Sequence, residues 1–191
     1  EPVNTATGNY YFEQNDLAIS TVSYPLEFSR YYNSRSSVNG VLGYGWSFSY
    51  QVSLGKESNG DVVITYHDGR QDLYRKTSGG FSPPAGIFSK LEEVSGGFTL
   101  TELSRKKFYF NSQGKLVKIT DRNDNQTLLD YDANGNLIKV TEPKGRFITF
   151  GYANGKLSKV TDTINRTLSF SYDADNNLSS ISNLKGAVTQ Y

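Results

Sequence analysis

From Phe110 onward, apolar, polar and turn-forming residues recur in one order. Each pass opens on an aromatic, at Phe110, Tyr131, Tyr152 and Tyr172, and Tyr191 stands where a further pass would open. A turn residue follows, at Gly114, Gly135, Gly155 or Asn176. Two positions on comes a leucine, Leu116, Leu137, Leu157 or Leu178, and three further a β-branched residue, Ile119, Val140, Val160 or Ile181. A period of roughly twenty residues marks a stacked repeat whose units cannot bury an apolar face alone.

Within each pass, the run leading into the tyrosine alternates. Ile148, Phe150 and Tyr152 point one way, with Thr149 and Gly151 opposite; Leu168, Phe170 and Tyr172 repeat this, and Thr127, Leu129 and Tyr131 follow more weakly. Period two predicts half-buried strands. The other run is less regular. Leu116 and Ile119 differ by three positions, so either both faces are partly covered or a β-bulge intervenes. The segments YDANGN, DRNDN, EPKG, DTINR and NLKG carry the Asp, Asn, Gly and Pro chemistry of tight turns. The expected fold is all-β: an antiparallel meander of β-hairpins, with its aromatic face buried.

Upstream the texture changes, and three segments are expected: a cap over 1–55, irregular hairpins over 56–107 and the repeat strip over 108–191. In the first, YPLEFSRYYNS alternates so that Leu26, Phe28, Arg30 and Tyr32 share a side. Gly40, Gly43 and Gly45 lead into Trp46, Phe48 and Tyr50, a setting that lets backbone pass close under a large ring. This cap is expected to seal the first edge of the sheet. In the second segment, DVVITY, HDGR and QDLYRK form a strand, turn and strand, and FTLTEL with KKFYF forms another pair. SKLEEV is too short to be assigned as helix.

Composition narrows the function classes. Twenty Lys and Arg against 19 Asp and Glu leave a net charge of +1 with no basic block, which argues against nucleic acid as a partner. No segment has the apolar length of a membrane span. Without cysteine there is neither a disulfide framework nor a thiolate metal site. There is no methionine, the chain opens at EPVNTATG, and it stops near the repeat phase, as a piece of a longer protein would.

Candidate chemistry is sparse. His67 is the only histidine and lies in an HDGR turn, where an exposed turn residue is expected; Asp68 beside it has no nucleophile at a defined spacing. Asp121, Asn123, Asn125 and Asp132 echo a calcium loop, but the required glycine is missing and turn chemistry explains them better. Asp130 and Asp132 form a carboxylate pair, and the recurrence of Asp132 as Asp173 argues for a turn role. Lys118, Lys139 and Lys159 make a basic column, read as a solvated face or a ladder of weak ion pairs. The best ligand candidates are Tyr44, Trp46 and Tyr50, since Trp46 could stack on a sugar ring; core packing is the plainer reading. No cofactor and no catalytic residue are expected.

These motifs resemble the RHS (YD-repeat) family along nearly the whole chain. Pro2, Val3, Asn4, Thr7, Gly8 and Asn9, then Asp16 and Leu17, Arg30, Tyr32, Asn33 and Ser34, and Gly43, Gly45, Trp46 and Ser47 match its N-terminal domain. Tyr131, Asp132, Gly135, Asn136 and Leu137 form the YD phrase; Ala153 and Asn176 depart from it. The resemblance implies a β-strip that spirals into a hollow shell around a C-terminal toxin in secreted or surface-bound bacterial proteins. The Asp-Pro motifs of the self-cleaving end are absent, because no Asp precedes any proline. The expected partners are the remainder of a longer chain and, through the edge near Ala187 to Tyr191, a second copy. The competing reading is a cell-surface adhesin or carbohydrate-binding β-module, which would leave Trp46 or a tyrosine row exposed in a polar-rimmed groove.

Overall fold

A computed structural model describes residues 3–4, 8–21 and 24–191. Pro2 and Thr7 of the quoted motif lie outside the described residues. These are all-β, in antiparallel pairs. The first sheet holds β1 (Val3–Asn4), β2 (Asn9–Ile19), β3 (Leu26–Asn33) and β6 (Trp46–Phe48). A small ribbon, β4 (Asn39–Gly40) with β5 (Gly43–Tyr44), interrupts it. The second sheet is β7 (Ser53–Lys56), β8 (Val62–Thr65), β9 (Gln71–Thr77) and β10 (Gly80–Ser82).

The third sheet has 11 strands in sequence order and does not close into a barrel. It comprises β11 (Lys90–Val94), β12 (Gly97–Thr101), β13 (Lys107–Asn111), β14 (Leu116–Thr120), β15 (Gln126–Tyr131) and β16 (Leu137–Thr141), followed by β17 (Phe147–Ala153), β18 (Lys156–Asp162), β19 (Thr167–Tyr172), β20 (Leu178–Ser182) and β21 (Val188–Gln190). SKLEEV thus supplies β11, its first edge.

The three-residue spacing is a bulge in every repeat. Phe110 pairs with Leu116 and Tyr109 with Lys118, so Val117 is the extra residue. The same shift recurs between Asp130 and Tyr131, Gly151 and Tyr152, and Ser171 and Tyr172. Leu116 and Ile119 therefore share one face and are both buried, as are Leu137 with Val140, Leu157 with Val160, and Leu178 with Ile181.

The turns are held by their first residue. Oδ1 of Asp121 accepts from the amides of Asn123 (2.8 Å) and Asn125 (3.0 Å), and Asp162, Asp173 and Asn183 cap their turns in the same pattern. Asp132 accepts from the Asn136 amide at 2.8 Å. The residue before the next strand then takes positive φ, as at Gly135 (80°) and Asn176 (63°), the left-handed step that closes a bulged hairpin. Asn176 manages this because its short polar side chain tolerates the left-handed region. The third repeat departs for a reason: its turn is one residue shorter. Ala153 pairs directly with Lys156 across Asn154 (51°) and Gly155 (75°), so no position remains for a capping aspartate.

The N-terminal sheet does not seal the first edge of the strip. It lies on the strip's apolar face. Phe28 packs on Phe150 (6.2 Å between ring centroids) and Phe170 (5.6 Å), and Phe48 on Phe150 (5.7 Å). Leu26, Phe28, Arg30 and Phe48 are buried at this interface, and one apolar core runs through cap and repeats. The first edge is managed by charge instead: Lys90, Glu92 and Glu93 lie on β11, and Lys56 and Lys76 both reach Glu93.

Candidate functional site

The tyrosine column meets the bulges. Pairing between β14 and β15 starts at Lys118, which leaves Leu116 outside their ladder. The Tyr131 hydroxyl donates to the Leu116 carbonyl at 2.8 Å, Tyr152 to Leu137 at 2.9 Å and Tyr172 to Leu157 at 2.7 Å, each 15 residues back. A tyrosine thus reaches across the splay that each bulge creates and serves its stranded carbonyl. Burial raises the pKa of all three phenols, so they remain donors at ordinary pH. Phe110 needs no hydroxyl, because β12 and β13 stay paired through Phe98 with Phe110 and Gly97 with Asn111.

Tyr191 is not in this column. Ile181 pairs with Thr189 as Val160 pairs with Leu168, so Tyr191 is the counterpart of Phe170 and falls two positions before the tyrosine phase. It faces the cap. Its ring lies 5.2 Å from that of Trp46, and its hydroxyl accepts from Arg30 Nη1 at 3.0 Å. Arg30, buried at 2% exposure, is held bidentate by Asp16, with Nη2 to Oδ1 at 3.0 Å and Nε to the other oxygen, and it stacks over Trp46 at 5.1 Å. Burial alone would lower the Arg30 pKa; Asp16 outweighs it and raises it.

The loop from Asn39 to Leu54 runs past the turn-proximal ends of the repeats. The Val41 carbonyl accepts from the Leu157 amide (2.8 Å) and lies 3.1 Å from the Tyr172 hydroxyl; the Leu54 amide donates to Gly114 O at 2.9 Å. Lys156 reaches Asn39 Oδ1 (2.7 Å) and Gly40 O (2.9 Å), and Lys115 reaches Gly135 O (2.6 Å). The glycines serve this approach. A Cβ on Gly43 would sit 3.0 Å from the Leu178 nitrogen, and one on Gly45 would sit 2.9 Å from the Tyr32 ring. The ring passed is that of Tyr32 rather than Trp46. At Gly114 a Cβ would meet Leu54 O, while Gly155 is open.

Of the ligand candidates, Tyr44 and Trp46 come together in a groove of about 380 Å³ with Tyr10, Phe12, Tyr32, Asn177, Leu178 and Tyr191. Tyr44 is half exposed, whereas Trp46 is only 8% exposed, edge-on to Phe12. Tyr50 is buried elsewhere, against Phe150. His67 is half-buried against Tyr31 at 4.6 Å, not an exposed turn residue, and burial lowers its pKa. The calcium-like residues turn their oxygens to their own backbone, and among the described residues no group of three or more His, Asp or Glu side chains converges as metal ligands. Hydrogen bonding from the Asn136 side chain and amide holds Asp132 below the usual carboxylate range; the Asn177 amide does the same for Asp173. In the lysine column, Lys118 lies 4.0 Å from the Tyr109 ring and Lys139 4.4 Å from Phe147, so cross-strand aromatics are their partners. The Arg30–Asp16 pair and the tyrosine–leucine bonds had no spacing signal; only the family motif carried Asp16 and Arg30.

Comparison with known proteins agrees with this architecture. The RHS repeat family matches residues 110–146 and 151–188, and a domain of unknown function, DUF6531, matches residues 1–74. The chain belongs to the RHS-repeat family. It is 31% identical over 136 residues to the tRNA nuclease WapA of Bacillus subtilis (strain 168) and 30% identical over 136 residues to the tRNA3(Ser)-specific nuclease WapA of Bacillus spizizenii. Each match takes in 71% of this chain and 6% of the relative, so the chain spans a small part of their length.

Proposed function

We propose that this chain is a non-catalytic, structural segment of a longer bacterial RHS protein, and that it starts a hollow β-shell which encloses or carries a C-terminal toxin. The observation that carries this reading is the cap on the inner face of the repeats: Phe28 and Phe48 fill the apolar surface that an open strip would leave wet. The side chains that invited a chemical reading are absorbed in structure, the aspartates in turns and the tyrosine hydroxyls on backbone. The relatives are named as tRNA nucleases, and a catalytic part outside the matched segment accounts for that name without a site here. Secretion or display at the bacterial surface follows from the toxin reading, and the remainder of the chain is the segment's main partner. A carbohydrate-binding module is the weaker reading, because Trp46 is packed rather than open.

Protease challenge of the full-length protein tests this. The C-terminal part should resist digestion in the intact protein and become susceptible when residues 1–54 are deleted. Equal susceptibility in both would remove the enclosing role.

A further inference from the structure

Each tyrosine latch is built the same way: a bulge leucine forms the floor and the tyrosine ends the following strand. At Tyr172 the wall is the cap loop, through Val41. The next leucine in the series is Leu178, and the same loop lies against it, with Gly43 packed on Asn176 to Leu178. Among the described residues no tyrosine hydroxyl occupies this place, and Tyr191 turns to Arg30 instead. The space above Leu178, between Tyr44, Tyr32 and Trp46, is the groove of about 380 Å³.

We propose that this groove is a latch for a tyrosine carried two residues beyond Tyr191 on a continued β21, whose hydroxyl would donate to the Leu178 carbonyl. The inference rests on the reading of the chain as a continuing strip. Two observations place the occupant. Register puts Tyr191 in the place of Phe170, so the column position follows at the spacing of Ser171 and Tyr172. The separation of 15 residues between hydroxyl and carbonyl holds at all three existing latches and, counted from Leu178, lands on that position. The cap would then register the strip as it leaves the covered region, with Arg30 and Trp46 setting Tyr191 and the groove setting the next tyrosine.

The test extends the full chain with its own fourth-repeat sequence, residues 171–182, appended after Tyr191, so that the second added residue is tyrosine. A second extension carries phenylalanine there and a third glycine. Trp46, the single tryptophan, reports on the groove by fluorescence, and amide exchange at Val188–Gln190 reports on strand pairing. The expected result is a changed Trp46 emission and a Tm that falls in the order tyrosine, phenylalanine, glycine, with slowed exchange in all three. Slowed exchange with Trp46 unchanged, or equal Tm for tyrosine and phenylalanine, would overturn the latch while leaving the strip. Unchanged exchange would overturn the strip itself. A Trp46 response of the unextended chain to soluble saccharides, or to its own concentration, would assign the groove to a sugar or to a second copy and overturn the proposal.

Discussion

The hydroxyl of Tyr152 donates to the carbonyl of Leu137 at 2.9 Å, across the gap that the bulge after Gly151 opens in the ladder. Phenylalanine would keep the ring and strand the carbonyl. Tyr152→Phe should therefore destabilise the chain by about 1–3 kcal/mol, the cost of an unmet buried acceptor. Urea unfolding checks this. An unchanged midpoint would show that water serves Leu137 equally well.

Phe28 joins two sheets, touching Phe150 and Phe170 with no exposed surface. Phe28→Ala should cost about 3–5 kcal/mol. A double-mutant cycle with Phe170→Ala should show non-additivity of about 0.5–3 kcal/mol, as contacting residues do. Strict additivity would mean that the cap does not rest on the fourth repeat.

Gly43 and Gly155 both have positive φ, 92° and 75°. Of the two, only Gly43 has backbone within 3.0–3.3 Å of where an alanine methyl would stand, at Leu178, Asn176 and Asn177. Alanine at either position carries backbone strain of about 1 kcal/mol or more, and at Gly43 a steric clash is added. Thermal unfolding should rank Gly43→Ala well below Gly155→Ala. Equal Tm values would remove the close approach.

Acid should loosen the turns. The hydrogen-bonded carboxylates of Asp132 and Asp173 titrate below their unfolded value, so they stabilise the fold above that value, about pH 4, and the contribution is lost as pH falls through the folded pKa. Burial pushes Glu142 up, but Arg146 and the turn amides outweigh it, and it belongs to the same window. Replacing Asp132 and Asp173 together with asparagine keeps an acceptor and removes the titration. The stability–pH curve below pH 4 should flatten in this variant; an unaltered curve would place acid sensitivity elsewhere.

Local chemistry was readable and long-range placement was not. The alternation of Leu168, Phe170 and Tyr172 and the turn residues located the repeat strands, and the spacing of Leu116 and Ile119 already offered a bulge. The position of the cap depends on contacts such as Arg30 with Tyr191, 161 residues apart, for which no local pattern exists. Tyr191 misled because counting aromatics ignores register: its pairing line runs through Thr189 and Ile181, and that line puts it in the core column. His67 looked exposed because its turn is polar, yet the turn folds onto Tyr31.

Electron cryo-microscopy of the full-length protein tests the central claim most directly. The expected result is one β-strip continuing from β21 around a closed interior, with residues 10–54 covering its first repeats and the C-terminal part inside. A full-length structure with Phe28 and Trp46 open to solvent, and the C-terminal part outside the strip, would contradict it.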